Sequence, residues 1–452
     1  MASFNRKKYL LATLLIILAF NCVEGLALGL VLPDIKRDLA LTDTELGLLS
    51  GIAIALSYSV MGIPIARWAD RGDRVTIISL TTLVWAIMLT LSGCAASFAQ
   101  LLLIRVGVGI GETGLVPPAH SLIADHFTRA ERPRAMATYL QGNTLGILLG
   151  YFVAGWLNQW YGWRVTFVAL GLAGLVPPLV ARLTLRDPRF GEWSSSAVHS
   201  AAPVLGEGPE TDPITHPTLK EVCFRLWTNT TFRHLLFGFS VVCFFGNGIS
   251  QWQPSFLARA YGMNTGALGA WLTLIYGVGG MLGMYLGGIW AARYAQNNER
   301  LQLKVMAALY CVSGLVSLLI YVSPNQYWAF VWMAVSTVVG SLTSGPLFAT
   351  IQTLIPAHMR AMAIAIVYFF ANLIGLGLGP LAVGALSDAL RPVAHDDSLR
   401  CALLMVSPGL LWVAWHLSRA SACVTRDLAA VSEEVSHEQG SPAASTQIAY
   451  KG

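Results

Sequence analysis

The sequence predicts an all-α integral membrane protein, with twelve transmembrane helices arranged as two pseudo-symmetric six-helix bundles. Three observations predict it. The composition is too apolar for a water-soluble globule, the apolar stretches fall six and six around a polar gap, and one Asn/Gly pattern recurs in both halves.

Of the 452 residues, 55% are hydrophobic and only 12% charged, and the mean hydropathy is +0.59. Soluble domains carry about a quarter charged residues, so most of this chain has lipid as its solvent. The 43 glycines and 14 tryptophans suit close helix packing and membrane interfaces. A net charge of +5 is explained by topology, and no nucleic-acid partner is expected. The seven cysteines are scattered without a C-x-x-C spacing, so they read as small apolar residues and imply neither disulfide nor metal. At the N-terminus, Arg6, Lys7 and Lys8 precede an apolar run from Tyr9 to Leu32. That run is of spanning length and lacks a small-residue cleavage site, so it reads as an uncleaved first helix.

A hydrocarbon core of about 30 Å takes roughly 20 helical residues. Stretches of that size lie near 9–32, 46–66, 75–95, 99–123, 134–156 and 163–182, then near 232–258, 268–291, 303–322, 326–352, 360–386 and 400–418. Pro33, Pro254 and Pro324 are expected to end helices. With the N-terminus inside, 22 of the 29 Lys and Arg residues fall on the inner side and six outside, leaving Arg105 within the fourth span. The positive-inside rule therefore places both termini in the cytoplasm, and a bacterial inner (plasma) membrane is the expected location. The organisation follows: a first bundle over 1–182, a cytoplasmic linker with an amphipathic segment over 183–231, a second bundle over 232–418, and a polar, disordered tail over 419–452.

In the fifth span Asn143, Gly146, Gly150 and Gly155 recur in the eleventh as Asn372, Gly375, Gly379 and Gly384, all at an offset of 229. Pro117 and Pro346 share that offset, and Arg134-Ala135-Met136-Ala137 recurs as Arg360-Ala361-Met362-Ala363 at 226. The three-residue difference has no physical account. Both halves begin on the same side, so the repeat is parallel, and such transporters bind substrate near mid-membrane between the halves.

Between the second and third spans the chain reads Ala66-Arg67-Trp68-Ala69-Asp70-Arg71-Gly72-Asp73-Arg74. This resembles the G-x-x-x-D-R-x-G-R signature of the major facilitator superfamily, with Ala66 and Asp73 in place of its glycines. The second-half loop, Gly288 to Arg293, keeps the glycine and arginine but has no acid. Arg105-x3-Gly109-x-Gly111-Glu112 is similar to the superfamily's fourth-helix motif. Gly109-Ile110-Gly111-Glu112, Pro118-Ala119, Ile123-Ala124-Asp125 and Gly162-Trp163-Arg164 before Phe167 look like the spinster branch, whereas Glu24-Gly25 departs from that branch's acid-arginine pair. The resemblance implies the major facilitator fold, alternating access, and an amphipathic substrate of lysolipid or sphingoid type.

Charges at bilayer depth are costly, by about 2.5–3.5 kcal/mol on insertion scales, and normally face a cavity or a partner. Three occur: Glu24, Arg105 and Glu112. At i,i+7, Arg105 and Glu112 share a helix face about 10 Å apart along the axis. Arg105 is expected to anchor an anionic substrate group or to pair with Glu24, and Glu112 or Glu24 to carry a coupling proton. The structural alternative is a static network of the three. His120 reads as a packed histidine. Asp70, Arg71 and Arg74 are expected to form a conformational latch, by the resemblance, rather than touch substrate. In the second half, Asn247, Gln251 and Gln253, with Tyr276 and Asn372, offer hydrogen bonds for the neutral part of a substrate.

These features predict a secondary active transporter for a small amphipathic or anionic organic solute, coupled to protons. Its partners are the small-molecule substrate, a proton and the lipid bilayer, and it acts as a monomer with no cofactor. An uncoupled facilitator or organic-acid symporter is the alternative within that class. A non-transporting membrane sensor is the alternative outside it. A lipid-modifying enzyme is disfavoured because no H-E-x-x-H, G-x-S-x-G or P-loop pattern is present.

Overall fold

The structure, a computed structural model, describes residues 2–128, 131–190, 224, 226–295, 298–343, 347, 350, 354 and 360–439. The first half contains α1 (Ala2–Leu39), then α2, which runs as Asp43–Gly47, a π-helical stretch Leu48–Ile52 and Ala53–Arg71, and α3 (Arg74–Ser92). It continues with α4 (Phe98–Thr113), α5 (Val116–His126), α6 (Arg132–Gly174) and α7 (Val176–Thr184). The second half opens with α8 (Thr230–Tyr261). Next come α9 (Thr265–Leu272, Thr273–Gly279 and Gly280–Tyr294), α10 (Glu299–Tyr321) and α11 (Gln326–Ser341). Last are α12 (Arg360–Phe370, Ala371–Leu378 and Gly379–Ala394), α13 (Ser398–Val406) and α14 (Gly409–Gln439).

Nine helical runs among the described residues are long and apolar enough to cross a membrane. Two of them, of 51 and 64 residues, far exceed the roughly 20 residues one crossing takes. The first turns at Gly162, whose φ of 79° breaks the helix, and the second turns at His395–Asp397. The expected count of twelve takes each of these as two and adds the 16-residue α11. Pro346 and most of the expected linker lie outside the described residues.

Three boundaries differ from expectation. Pro33 and Pro254 sit inside α1 and α8, because a single missing N–H is tolerated where neighbours and water re-satisfy the backbone. The extra turns carry Asp34, Asp38 and Arg259 into polar contacts at the bundle's end. Only the stop before Pro324 holds, α10 ending at Tyr321. The chain after Arg419, expected to be disordered, continues as helix to Gln439. There Ala420 and Val424 are buried in the second half's core, and Asp427 accepts hydrogen bonds from the Thr231 backbone N–H (2.9 Å) and hydroxyl (2.7 Å).

The internal repeat is realised in packing. A Cβ at Gly146 would overlap Cys22 of α1, and one at Gly375 would overlap Cys243 of α8. The last glycine of each set faces the other half: Gly155 lies against the Thr265 carbonyl and Gly384 against the Asp43 carbonyl. Small residues are what let membrane helices approach this closely. Toward the end that leads into the linker, the halves have separate cores, one around Leu14, Leu122 and Tyr139, the other around Phe232, Leu303 and Val413. A single core joining Leu28, Leu49, Trp252 and Leu268 bridges them elsewhere. Among the described residues the halves share a core at the distal end and keep separate cores toward the linker end.

Candidate functional site

The site is built on α4, whose N-terminus is capped by Ser97. About two turns in, Arg105 is fully buried and forms an ion pair with Glu24 of α1, itself 1% exposed. The guanidinium also lies over the Phe167 ring, 5.2 Å from its centroid, a favourable contact in a desolvated setting. A cation sealed between a carboxylate and an aromatic face is already neutralised.

Glu112 occupies the last turn of α4, before the helix breaks at Gly114 and α5 restarts on Pro117 and Pro118. Its side chain is half-buried. Gly109 makes its surroundings possible: a Cβ there would come within 2.7 Å of Ser57 Cβ. Without it α2 comes close enough for Ser57 to donate to the Val106 carbonyl at 3.0 Å. The adjacent Tyr58 then stands beside the Glu112 carboxyl. Arg105 acts on Glu112 through space, while its own ion pair is with Glu24.

The other predicted residues are more dispersed. Cys22 donates to Asn143 at 2.9 Å, beside Gly146. Asn247 donates to the Cys243 carbonyl of its own helix at 2.8 Å. Gln251 packs beside Gly29 of α1, and among the described residues its Nε2 has no hydrogen-bond partner. Tyr276 donates to Gln253 and stacks on Tyr151 of the first half, with centroids 5.7 Å apart. Asn372 is half-buried in the π-helical stretch of α12. His120 packs edge-on against Tyr139.

At the linker end Arg74 is buried. Its guanidinium reaches Asp187 (2.7 and 2.9 Å), Asp125 (2.5 Å) and Ser121 (2.7 Å). Burial alone would raise the Asp187 carboxyl, but hydrogen bonds from Arg74 and Arg189 outweigh it and hold the group well below the usual carboxylate range. Arg189 also donates to the carbonyls of Ala69 and Gly72, so the start of the linker is tied to the loop after α2. Arg71 is exposed. The side chain of Asp70 lies outside the described residues.

At the distal end sequence reasoning missed a second centre. Asp43, 2% exposed, accepts from Lys36 (2.6 Å), Arg259 (2.7 and 2.9 Å) and Ser387 (2.7 Å). In return Asp388 accepts from the Asp43 and Thr44 backbone N–H groups, at 3.1 and 2.7 Å, and from the Thr44 hydroxyl. Each half supplies an acid to the other. Tyr58, Asp43 and Asp187 carried no signal in the sequence beyond their type, since their partners lie far away in the chain.

A family model of the Major Facilitator Superfamily matches residues 10–380. An MFS-type efflux pump of Mycolicibacterium smegmatis is 30% identical over 410 residues, covering 90% of this chain and 91% of the pump. A probable L-galactonate transporter of Escherichia coli is 23% identical over 411 residues, 89% of this chain and 87% of its own. Among solved structures, a bacterial homologue of the human lysosomal transporter spinster, in an inward-facing and unoccupied conformation, superposes with a TM-score of 0.80. It is 25% identical and covers 93% of this chain and 98% of its own. The helices, the packing of the repeated glycines and these likenesses agree: the chain belongs to the major facilitator superfamily of membrane transporters and is similar to its spinster-like members.

Proposed function

We propose that this secondary transporter of small organic solutes moves an amphipathic solute by alternating access, with Glu112 carrying a coupling proton. One observation carries the reading. Of the three charges at depth, Glu24 and Arg105 neutralise each other out of reach of water, while Glu112 is half-buried beside the Tyr58 phenol and, among the described residues, has no ion pair. A carboxyl in that setting can gain and lose a proton without dismantling an ion pair. Asn247, Gln251, Tyr276 and Asn372 offer neutral contacts from the other half. The Asp43–Arg259 centre closes the distal end, and the Arg74–Asp187 cluster acts at the linker end as the latch expected of Asp70, Arg71 and Arg74.

In this reading the twelve spans divide as 1–182 and 232–418, both termini are cytoplasmic, and the monomer works in a bacterial inner membrane. The distal end is then the outer one and the chain stands open inward. Export fits the efflux-pump relative. Import of an organic acid is the second reading, favoured by the likeness to the probable L-galactonate transporter, and it requires Arg105 to leave Glu24.

The test is substrate flux in proteoliposomes with and without an imposed pH gradient, for wild type and Glu112→Gln. Gradient-driven flux lost in the variant supports the reading. Wild-type coupling in Glu112→Gln removes Glu112 from the mechanism.

A further inference from the structure

At the linker end α8 and α14 meet in a seam that holds none of the residues assigned to transport. α14 packs on α8 and α10 of its own half, with Val413, Leu417 and Ala420 turned into that core. Its other face carries Trp412 and Trp415, 55% and 52% exposed, and then Arg419, also exposed. At i, i+3 and i+7 these three residues lie along one side of the helix. On α8, Arg233 stands in the first turn, and the exposed Phe237 lies one turn further into the span.

The two helices are joined by His234 and His416, whose Nδ1 atoms are 3.1 Å apart. One imidazole donates and the other accepts, so one Nδ1 is unprotonated and the pair carries no more than one charge. His416 is buried and is the hub of an aromatic run. Trp415 stands edge-on to it with centroids 4.8 Å apart, and Trp412 and Phe237 lie at 5.9 and 6.0 Å. Trp415 also meets His234 at 5.7 Å, and Trp227 meets Phe237 at 6.0 Å. The seam thus presents a fixed aromatic surface made by both helices.

Its charge is one-sided. α8 contains no Asp or Glu, and α14 has none before Asp427, whose carboxylate is engaged by Thr231 and Arg426. Among the described residues Arg233 donates to the Thr230 hydroxyl alone, at 3.3 Å, and neither it nor Arg419 has an ion pair. Both arginines lie within electrostatic reach of His234, one beside it in sequence and the other one turn past its partner His416.

We infer that this seam binds an anionic phospholipid, with its phosphate between Arg233 and Arg419 and its acyl chains along Phe237, Trp412 and Trp415. Guanidinium groups match phosphate oxygens in geometry as well as charge. The order of residues favours an amphiphile over a free phosphate. On each helix the arginine stands nearest the linker end, and the exposed rings follow one to two turns, roughly 6–10 Å, deeper into the span. Tryptophan is enriched at that level of a membrane. Two arginines without an acid call for a headgroup that carries no cation of its own. Phosphatidylglycerol meets that need, whereas phosphatidylcholine brings an ammonium that Arg233 and Arg419 repel. A phosphate shared by the two arginines ties α8 to α14, so the lipid stabilises the second half.

The test uses the full chain in phosphatidylcholine bilayers doped with phosphatidylglycerol brominated on its acyl chains, which quenches the tryptophans it touches. Quenching should exceed that from an equal dose of brominated phosphatidylcholine. The excess should vanish when Arg233→Gln and Arg419→Gln are combined. It should vanish as well in Trp412→Phe with Trp415→Phe, which keeps both arginines. In detergent, phosphatidylglycerol should raise the melting temperature of wild type more than that of the double Gln variant. Equal quenching by the two brominated lipids in wild type overturns the inference whatever the variants do. So does an excess that survives the double Gln variant. If glycerophosphoglycerol, the headgroup without its chains, abolishes the excess as readily as unbrominated phosphatidylglycerol does, the seam is a site for a soluble phosphate ester and the lipid site falls.

Discussion

Asp43 and Arg259 meet across the two halves of the molecule in a two-pronged ion pair, Oδ1 to Nη2 at 2.7 Å and Oδ2 to Nη1 at 2.9 Å. Asp43 begins α2 and Arg259 stands near the end of α8, so the pair can exist only while the distal ends are together. Lys36 and Ser387 complete the shell around the carboxylate, and Asp388 binds the backbone at the start of α2 from the other side. Opening the distal end must break the contacts of Arg259, Ser387 and Asp388, while the Lys36–Asp43 bond lies within the first half.

Stranding a buried charge costs about 3–5 kcal/mol; without Arg259 the Asp43 carboxylate keeps Lys36, so the loss is smaller but falls on the closed conformation. Arg259→Gln is therefore expected to shift the balance toward the distal-open conformation by at least tenfold. Spin labels at Trp160 and Val393, exposed at the distal end of opposite halves, should report a longer distance population in the variant. An unchanged distribution would show that the pair does not hold the closure.

The glycines facing across the halves make an independent prediction. Gly384 lies against the Asp43 carbonyl, where a Cβ has no room. Gly384→Val should open the same distal labels without touching a charge, and high salt should not alter its effect. For Arg259→Gln the wild-type reference itself weakens with salt only slightly, since Asp43 is buried and poorly screened.

Glu24→Gln leaves the buried Arg105 guanidinium without a counter-charge. It should destabilise the protein by about 3–5 kcal/mol, and Glu24→Gln with Arg105→Met should recover part of that loss. Thermal unfolding in detergent measures the cycle. A double variant no better than the sum of the singles would mean that the pair contributes no coupling.

The linker-end cluster has a defined pH response. Asp187 is held below its ordinary value by Arg74 and Arg189, so its stabilisation is fully present above about pH 4, the unfolded carboxyl value, and is lost as pH falls through the lowered folded value. Asp187→Asn should melt lower than wild type by a constant margin from pH 5 to 8. The margin should shrink below pH 4. A margin that varies between pH 5 and 8 would assign the titration to another group.

The sequence by itself determined the fold class, the superfamily and the three charges at depth. It could do so because burial in lipid leaves an unusually plain record: spanning lengths, basic residues on one side, rare charges inside, and glycines where helices touch. The repeat of Asn143 to Gly155 in Asn372 to Gly384 was legible for the same reason, since close helix approach restricts residue type at fixed spacing. Helix ends were less legible. Pro33 and Pro254 read as stops because local chemistry disfavours proline in a helix, yet tertiary contacts at Asp34 and Arg259 carry the helices onward. Only the tertiary structure decided which partner each charge has. Glu24 and Arg105 pair from helices 81 residues apart in sequence, Tyr58 stands beside Glu112, and Asp43 finds Arg259 across the halves. Partnership in space is set by helix packing and by which end of the molecule is closed, and neither leaves a periodicity for sequence reasoning to find.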